Sequence, residues 1–213
     1  MNITVLQIML GSQKHFVLSE QINRLYCTKH NYQYKVVHGE PLDNWRSTRW
    51  QKPLHLYEHI HDTTDDFTLY LDADAVFYSH ELKIEQELIP RLEGKHILLA
   101  SNCGGECDRW QPQVPNSGVI LFRNTDLTKE ILNYWNTVAR EWYFSLYDLD
   151  DIDISDQYGL SNCVMYRYSK HISLLRDYYL MNGSYGQYIR HWMTNSKIRM
   201  IIEMESILKR ISV

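Results

Sequence analysis

Apolar residues along the chain fall into runs whose period changes repeatedly, and the first run, residues 3 to 10, is nearly continuous and stops at Gly11-Ser12. A continuous apolar run bounded by a turn signal predicts a strand covered on both faces. Phe16, Leu18, Ile22, Leu25 and Tyr26 then recur close to helical spacing over residues 16 to 30, so a helix follows the strand. Tyr32, Tyr34 and Val36 alternate with polar neighbours and predict a second strand. Ser47 to His61 reads as a polar loop running into a helix that accepts Pro53 in its first turn. Phe67 to Leu71 predicts a third strand, and Asp72-Ala73-Asp74 stands where it ends.

Beyond that point a helical stretch runs to Leu92 and is closed by Gly94. His96 to Ala100 and Gly118 to Phe122 read as buried strands around a loop holding Cys103 and Cys107. Leu127, Ile131, Tyr134, Trp135, Val138 and Trp142 mark the clearest amphipathic helix in the chain. Strands alternating with helices over the first 145 residues imply an α/β fold with a largely parallel sheet, helices on both faces and ligands at the carboxyl ends of strands. Asp72 and Asp74 fall at such an end. The last third is less regular, with an Asp-rich turn from Asp148 to Asp156, a Tyr-rich stretch from Tyr166 to Tyr188, and a terminal helix carrying Ile198, Ile201, Ile202, Met204, Ile207, Leu208 and Ile211. With no internal repeat and no Ser/Pro-rich linker, the whole of 1–213 is expected to form one domain.

Composition narrows the function classes. The 213 residues include only nine Gly and five Pro, and 44% are hydrophobic, which excludes a disordered or collagen-like chain. A net charge of −4, without a long Lys/Arg block, argues against a dedicated nucleic-acid binder, whose affinity would come from a basic face. No apolar run approaches the ~18 residues needed to cross a bilayer, and no basic leader precedes the first apolar run, so the expectation is a soluble, cytoplasmic chain without a membrane span. The four Cys (Cys27, Cys103, Cys107, Cys163) are expected to be free thiols. Cys103 and Cys107 have no second Cys or His pair at zinc-ligand spacing.

The chemistry concentrates at Asp72 and Asp74. Residues two apart on a strand point the same way, so the two carboxylates can be offered to one cation as the chain leaves the sheet. The plainer alternative is a loop whose two Asp cap nearby backbone amides. What distinguishes this pair is its wider setting, in order along the chain: Arg49-Trp50-Gln51-Lys52 before the strand, Asn116-Ser117-Gly118-Val119-Ile120-Leu121-Phe122-Arg123-Asn124 after it, then Asp156-Gln157, and then Gly186-Gln187-Tyr188-Ile189-Arg190-His191-Trp192.

On these residues the sequence resembles the metal-dependent nucleotide-sugar transferases with the A-type fold, especially the family-34 galactosyl-, mannosyl- and xylosyltransferases. Members show a Trp-x-Lys helix, an aliphatic strand ending in Asp-x-Asp with an apolar tail, an Asn-x-Gly strand, an acidic-Gln pair and a late His. The resemblance runs from residue 3 to about residue 197. Lacking the usual anchor and stem, the chain is also similar to anchorless virus-encoded versions, such as a domain of the chlorovirus capsid-glycosylating enzymes. The resemblance implies an A-type fold with a Rossmann-like, mostly parallel sheet, a nucleotide-binding part over about 1–125 and an acceptor or closing part over about 126–213. It implies that Asp72, Asp74 and His191 hold Mn²⁺ or Mg²⁺, with Asp72 also reaching the donor ribose. Lys52 would face the donor, Asn116 would read a sugar hydroxyl, and Lys197, following Ser196 as N-cap, would reach the diphosphate. Asp156 and Gln157 would stand beside the anomeric carbon. The implied reaction is retaining transfer of a sugar from a nucleoside-diphosphate sugar, UDP favoured, to a glycan or glycoprotein acceptor. Thr194 replaces a Gly that the look-alike families often carry.

Three of these residues have a simpler reading. Lys52 could be a solvated helix charge, Asn116 a turn former, and His191 one of ten His in a Tyr-rich surface. Asp148, Asp150, Asp151 and Asp153 read as a solvated acidic turn, since the run lacks the Gly and final Glu of a calcium loop. Two other functions fit part of the pattern. A haloacid-dehalogenase-type phosphohydrolase would use Asp72 as nucleophile and Asp74 as acid, but would need a later strand ending in paired acids. A catalytically inactive transferase fold would only bind a glycan, with exposed aromatics supplying the stacking.

Overall fold

The computed structural model describes residues 1–41, 48–101, 114–139, 141, 156–175, 178–192 and 196–211. Cys103, Cys107, Trp142, the Asp148 to Asp153 run and Thr194 lie outside the described residues. The order is β1 (Ile3–Leu10), α1 (Lys14–His30), β2 (Gln33–Gly39), α2 (Gln51–Asp62), β3 (Phe67–Asp72), β4 (Ala75–Phe77) and α3 (Ile84–Glu87). There follow β5 (Ile97–Ser101), β6 (Pro115–Arg123), α4 (Asp126–Tyr134), α5 (Asp156–Gly159), α6 (Met165–Tyr168), β7 (Ile172–Leu175), α7 (Tyr178–Met181), β8 (Ile189–His191) and α8 (Lys197–Ile211). Among the described residues, no helix is long and apolar enough to cross a membrane.

Six strands form a central sheet in the order β2-β1-β3-β6-β5-β7. All run the same way except β6, which is antiparallel to both β3 and β5. The two faces sort by residue parity, as a pleated strand requires. On one face Ile3, Val5, Leu69, Leu71, Val119 and Leu121 pack under Tyr26 and Cys27 of α1 and Ile84 of α3. On the other, Leu6, Ile8, Tyr70, Ile120 and Phe122 pack under Leu56 and Ile60 of α2, Ile131 and Leu132 of α4, and Leu160 and Val164 between α5 and α6. Both faces are covered, which is why these strands read as near-continuous apolar runs. Tyr70 therefore shares the face of α2, and Asp72 emerges on that side at the strand's carboxyl end.

Beside this sheet lies a ribbon of two short antiparallel strands, β4 and β8, which pair Ala75 with His191, Val76 with Arg190 and Phe77 with Ile189. Its outer side packs on Met200, Met204 and Ile207 of α8 through Val76 and Trp192. Helix α1 begins two residues earlier than its apolar spacing indicated, and α4 passes into a wider turn over Trp135–Ala139 instead of running on as a regular helix. The stretch before Leu92 is helical only over Ile84–Glu87 and Ile89–Leu92, because the chain first follows β4 along the ribbon. Cys27 and Cys163 are free thiols.

Two histidines are held neutral in the folded chain. Burial, with Lys35 nearby, lowers the pKa of His59 from 6.5 to about 4, and burial, with Lys29 nearby, lowers that of His80 to about 4. The unfolded chain therefore takes up protons at these positions first, and their contribution to stability, complete above about pH 6.5, is lost as pH falls toward 4. The midpoint of thermal unfolding should drop between pH 7.5 and 4.5, and His59→Gln should narrow that drop. An equal drop in wild type and variant would remove His59 from the account.

Candidate active site

The site is built where β3 ends. Gln7 in the middle of β1 is a polar residue in an apolar strand, and it is fully buried because it serves the turn after β3. Its amide donates to the Asp72 carbonyl at 3.0 Å, the Ala75 carbonyl at 3.2 Å and Ser19 Oγ at 2.7 Å, while Tyr34 donates to its Oε1. Asn23 of α1 donates to the Ala75 carbonyl at 3.0 Å and accepts from the Phe77 N–H at 3.0 Å. These bonds satisfy buried backbone groups that leave the main sheet for the ribbon, and so fix how Asp72 and Asp74 are presented.

Lys52 projects from the first turn of α2. Its Nζ lies 3.0 Å from Asp72 Oδ1 and 2.9 Å from Asp156 Oδ2, with Ser117 Oγ at 3.1 Å and the Ser117 carbonyl at 3.3 Å. Burial disfavours the ammonium, but Asp156 and then Asp72 outweigh it and hold its pKa above the ordinary lysine value. Ser117 Oγ donates to Asp156 Oδ2 at 3.0 Å, and the Ser117 N–H donates to Gln157 Oε1 at 3.4 Å. Tyr70 donates its hydroxyl to Asp72 Oδ1. Burial, then the Asp72 charge, keeps this phenol far above its usual pKa and therefore protonated.

Asp156 reaches Lys52 because of Trp50. Only 2% exposed, Trp50 packs its indole so closely on Gly159 that a Cβ there would lie 2.5 Å from the ring. The indole of Trp135 adds a donor to the Asp156 carbonyl at 3.0 Å. Ser117 becomes available through an irregularity in the sheet: pairing of β5 with β6 shifts between Leu99 and Ala100, so Leu99 faces Ile120 while Ala100 faces Asn116. Residues 117 and 118 thus leave the regular ladder and turn their backbone to the site. Asn116 Oδ1 accepts from the Gly118 N–H at 2.8 Å within this bulge.

His191 arrives on β8 directly across from Ala75. Its Nε2 is 3.3 Å from Asp74 Oδ1 and 3.6 Å from Asp72 Oδ2. One ligand atom from each of Asp72, Asp74 and His191 can be chosen so that all three lie within 4.8 Å of one another, a two-oxygen, one-nitrogen set that a divalent cation can bridge. Burial works against the imidazolium, yet Asp74 and then Asp72 raise the His191 pKa. Burial likewise works against the Asp74 carboxylate, and His191 lowers its pKa despite that.

The cluster borders a cavity of about 240 Å³ lined by Ile8, Leu10, His15, Phe16, Lys52 and Tyr70 as well as the Asp72 to Asp74 turn. Lys197 stands at the start of α8 and donates to Gln13 Oε1 at 3.1 Å, just before α1. Its charge helps burial to lower the pKa of His15 in the cavity wall, against the pull of Asp74. The structure thus joins Asp72, Asp74 and His191 in one cluster and Lys52, Asp72, Asp156 and Gln157 in an adjoining one, while Lys197 belongs to neither and bonds Gln13. Gln7, Asn23 and Tyr70 were not singled out by sequence reasoning, and Ser117 and Gly118 entered it only as part of the Asn-x-Gly strand. Of these, Gln7 carried a signal, as an amide inside an apolar strand run. The carboxylate across Lys52 from Asp72 lies on a helical turn, not on a later strand as the phosphohydrolase reading needs.

No family model matches the sequence, and no curated protein sequence matches it. Solved structures do. A glycosyltransferase involved in the glycosylation of the major capsid of PBCV-1 superposes with a TM-score of 0.73 at 15% identity, over 97% of this chain and 100% of that one. Mouse xyloside xylosyltransferase 1 gives 0.55 at 11% identity, over 92% of this chain and 99% of that one. The glycosyltransferase GlyE of Streptococcus pneumoniae TIGR4 gives 0.51 at 15% identity, over 98% of this chain and 62% of that one. All three are glycosyltransferases, and the chain has the A-type glycosyltransferase fold with a mostly parallel central sheet.

Gly118 is required by the His191 ring, since a Cβ built on it would lie 2.0 Å from Cε1. Gly118→Ala should displace the imidazole and cost about 1–3 kcal/mol as overpacking. It should lower the unfolding midpoint by several degrees and shift the His191 ring signals in NMR. Unchanged melting and unchanged signals would mean the ring has another seat.

Proposed function

We propose that the chain is a metal-dependent, retaining glycosyltransferase that moves a sugar from a nucleoside-diphosphate sugar, with UDP the favoured nucleotide, to a glycan or glycoprotein acceptor. The observation that carries this reading is the convergence of Asp72, Asp74 and His191 beside a cavity at the carboxyl end of β3, within an A-type fold. The mixed oxygen and nitrogen donor set fits Mn²⁺ as well as Mg²⁺. When bound, such an ion supplies Lewis-acid stabilisation of the diphosphate leaving group.

The remaining roles belong to the chain's own groups. Lys52, kept charged by two carboxylates, offers a fixed positive charge to the donor from the cavity wall. Preorganised charge of this kind is worth far more where water is excluded. The Asp156 carboxylate is already engaged by Lys52 and Ser117, which supports its acting beside the anomeric centre as part of a fixed electrostatic frame, with Gln157 next to it. Asn116 shapes the bulge that carries Ser117 toward that centre, and reading a sugar hydroxyl there would be its further role. Lys197, the first residue of α8, would reach toward the outer end of the diphosphate. The chain would then work as one catalytic unit, with the strands up to β6 forming the donor side and the later segments closing over it.

A thermal-shift screen of nucleotide sugars with Mn²⁺ should find stabilisation that EDTA abolishes. Asp74→Ala and His191→Ala should each remove the Mn²⁺-dependent part and lower turnover at least about a hundredfold while the protein stays folded. Full activity in EDTA would end the metal-dependent reading. Gln157→Ala and Asp156→Ala should reduce kcat on the order of a hundredfold with a much smaller change in KM, because groups beside the reacting carbon act on the transition state. NMR of the first-formed glycoside should show the donor's anomeric configuration kept. An inverted product would overturn the retaining assignment.

A further inference from the structure

We propose that Asn182 is a positioning residue that readies His191 for a metal ion by deciding which ring nitrogen carries the proton. The inference rests on the metal-dependent reading above and deepens it. Asn182 is fully buried at the end of α7. Its Nδ2 donates to the Ser101 carbonyl at the end of β5, 3.2 Å away. Its Oδ1 accepts from the Gly183 N–H at 2.9 Å and lies 2.8 Å from His191 Nδ1.

The orientation of this amide is settled by its surroundings. Reversed, it would press its NH₂ against the Gly183 N–H and its oxygen against the Ser101 carbonyl, replacing two hydrogen bonds by two repulsions. The oxygen therefore faces the ring. A carbonyl oxygen can only accept, so Nδ1 must be the donor, and in the neutral imidazole the lone pair is left on Nε2. Nε2 is the nitrogen that faces Asp74 Oδ1 and Asp72 Oδ2.

The same turn grips the main chain, because the His191 N–H donates to the Gly183 carbonyl at 3.2 Å. On another side the ring lies against Gly118, where no side chain fits. The imidazole is thus seated at its backbone, along one ring side and at Nδ1, with Nε2 turned to the carboxylates. The opposite tautomer would aim an N–H at the carboxylates, satisfying them without an ion, and would set the Nδ1 lone pair against the Asn182 oxygen. Asn182 selects against that arrangement, as outer partners of metal-bound histidines do when they fix tautomer and ring direction.

The test combines ¹⁵N NMR of histidine-labelled protein with Mn²⁺ titration. Spectra of the wild type saturated with Mg²⁺, with His191 assigned through His191→Gln, should show Nδ1 protonated and Nε2 without a proton. A protonated Nε2 would overturn the proposal, and this arm needs no variant at Asn182 to fold. Asn182→Ala should mix the tautomers and weaken Mn²⁺ binding by about 10- to 100-fold. Asn182→Asp keeps the acceptor at Nδ1 but sets an oxygen against the Ser101 carbonyl, so it should lower the unfolding midpoint and yet restore the Nδ1–H form, a rescue that a purely structural role would not produce. Undiminished Mn²⁺ affinity in Asn182→Ala would also overturn it. A wild type that takes up no divalent ion yet keeps the Nδ1–H bond to Asn182, read as a slowly exchanging ring proton that Asn182→Ala releases, would strike the metal-dependent reading while upholding the seat that Asn182 provides.

Discussion

Negative charge gathered in a half-buried place is the constraint on which the rest of the site depends. Asp72, Asp74 and Asp156 meet around two nitrogen groups, Lys52 and His191. Carboxylates this close repel strongly unless cations are held among them, and the penalty grows as water is excluded. Lys52 answers the pair Asp72 and Asp156. Among the described residues Asp74 meets only an imidazole, shared with Asp72, and even when that ring is protonated it and Lys52 leave one of the three negative charges uncompensated. A divalent cation in the proton's place would, with Lys52, bring the three carboxylates to balance, which is the electrostatic sense of a mixed carboxylate and imidazole cluster.

Holding such charges together requires that none of them relax apart, and the surrounding packing serves that end. Trp50 seated on Gly159 ties α2 to the turn that carries Asp156, so Lys52 and Asp156 cannot separate without opening the core. Gln7 and Asn23 grip the backbone between Asp72 and Phe77 from below. The Trp-x-Lys pattern is therefore one device with two ends: the indole sets the position at which the ammonium works.

Much of the sheet was legible because β1, β3, β5 and the core of β6 are apolar on both faces, and a run of that kind is visible without knowledge of its neighbours. The direction of β6 was not legible, since an antiparallel strand buried on both faces has the same composition as a parallel one. Nor were β4 and β8, because three residues are too few to carry a period. The two acids after β3 stood out by chain order, whereas Gln7 and Asn23, which seat them, and Gly118 and Asn182, which seat His191, act through hydrogen bonds or a missing Cβ with partners as far as 81 positions away. A one-dimensional pattern records what a segment buries. It does not record which distant carbonyl an amide will meet.

The short ribbon also explains how a residue so late in the chain can belong to a site defined by β3. Antiparallel pairing sets His191 across from Ala75, next to Asp74, and the Trp192 N–H donates to the Asp74 carbonyl at 3.2 Å. Yet a three-residue pair is too short to hold its register alone. It is clamped by Val76 and Trp192 against Met200, Met204 and Ile207 of α8, and by the Trp192 indole donating to Glu203 at 3.1 Å. The place of the His191 ring is therefore fixed by the packing of α8 on α1 as much as by the strand pair. A change at that helix interface, which touches none of the three clustered side chains, acts on the cluster through the register of β8.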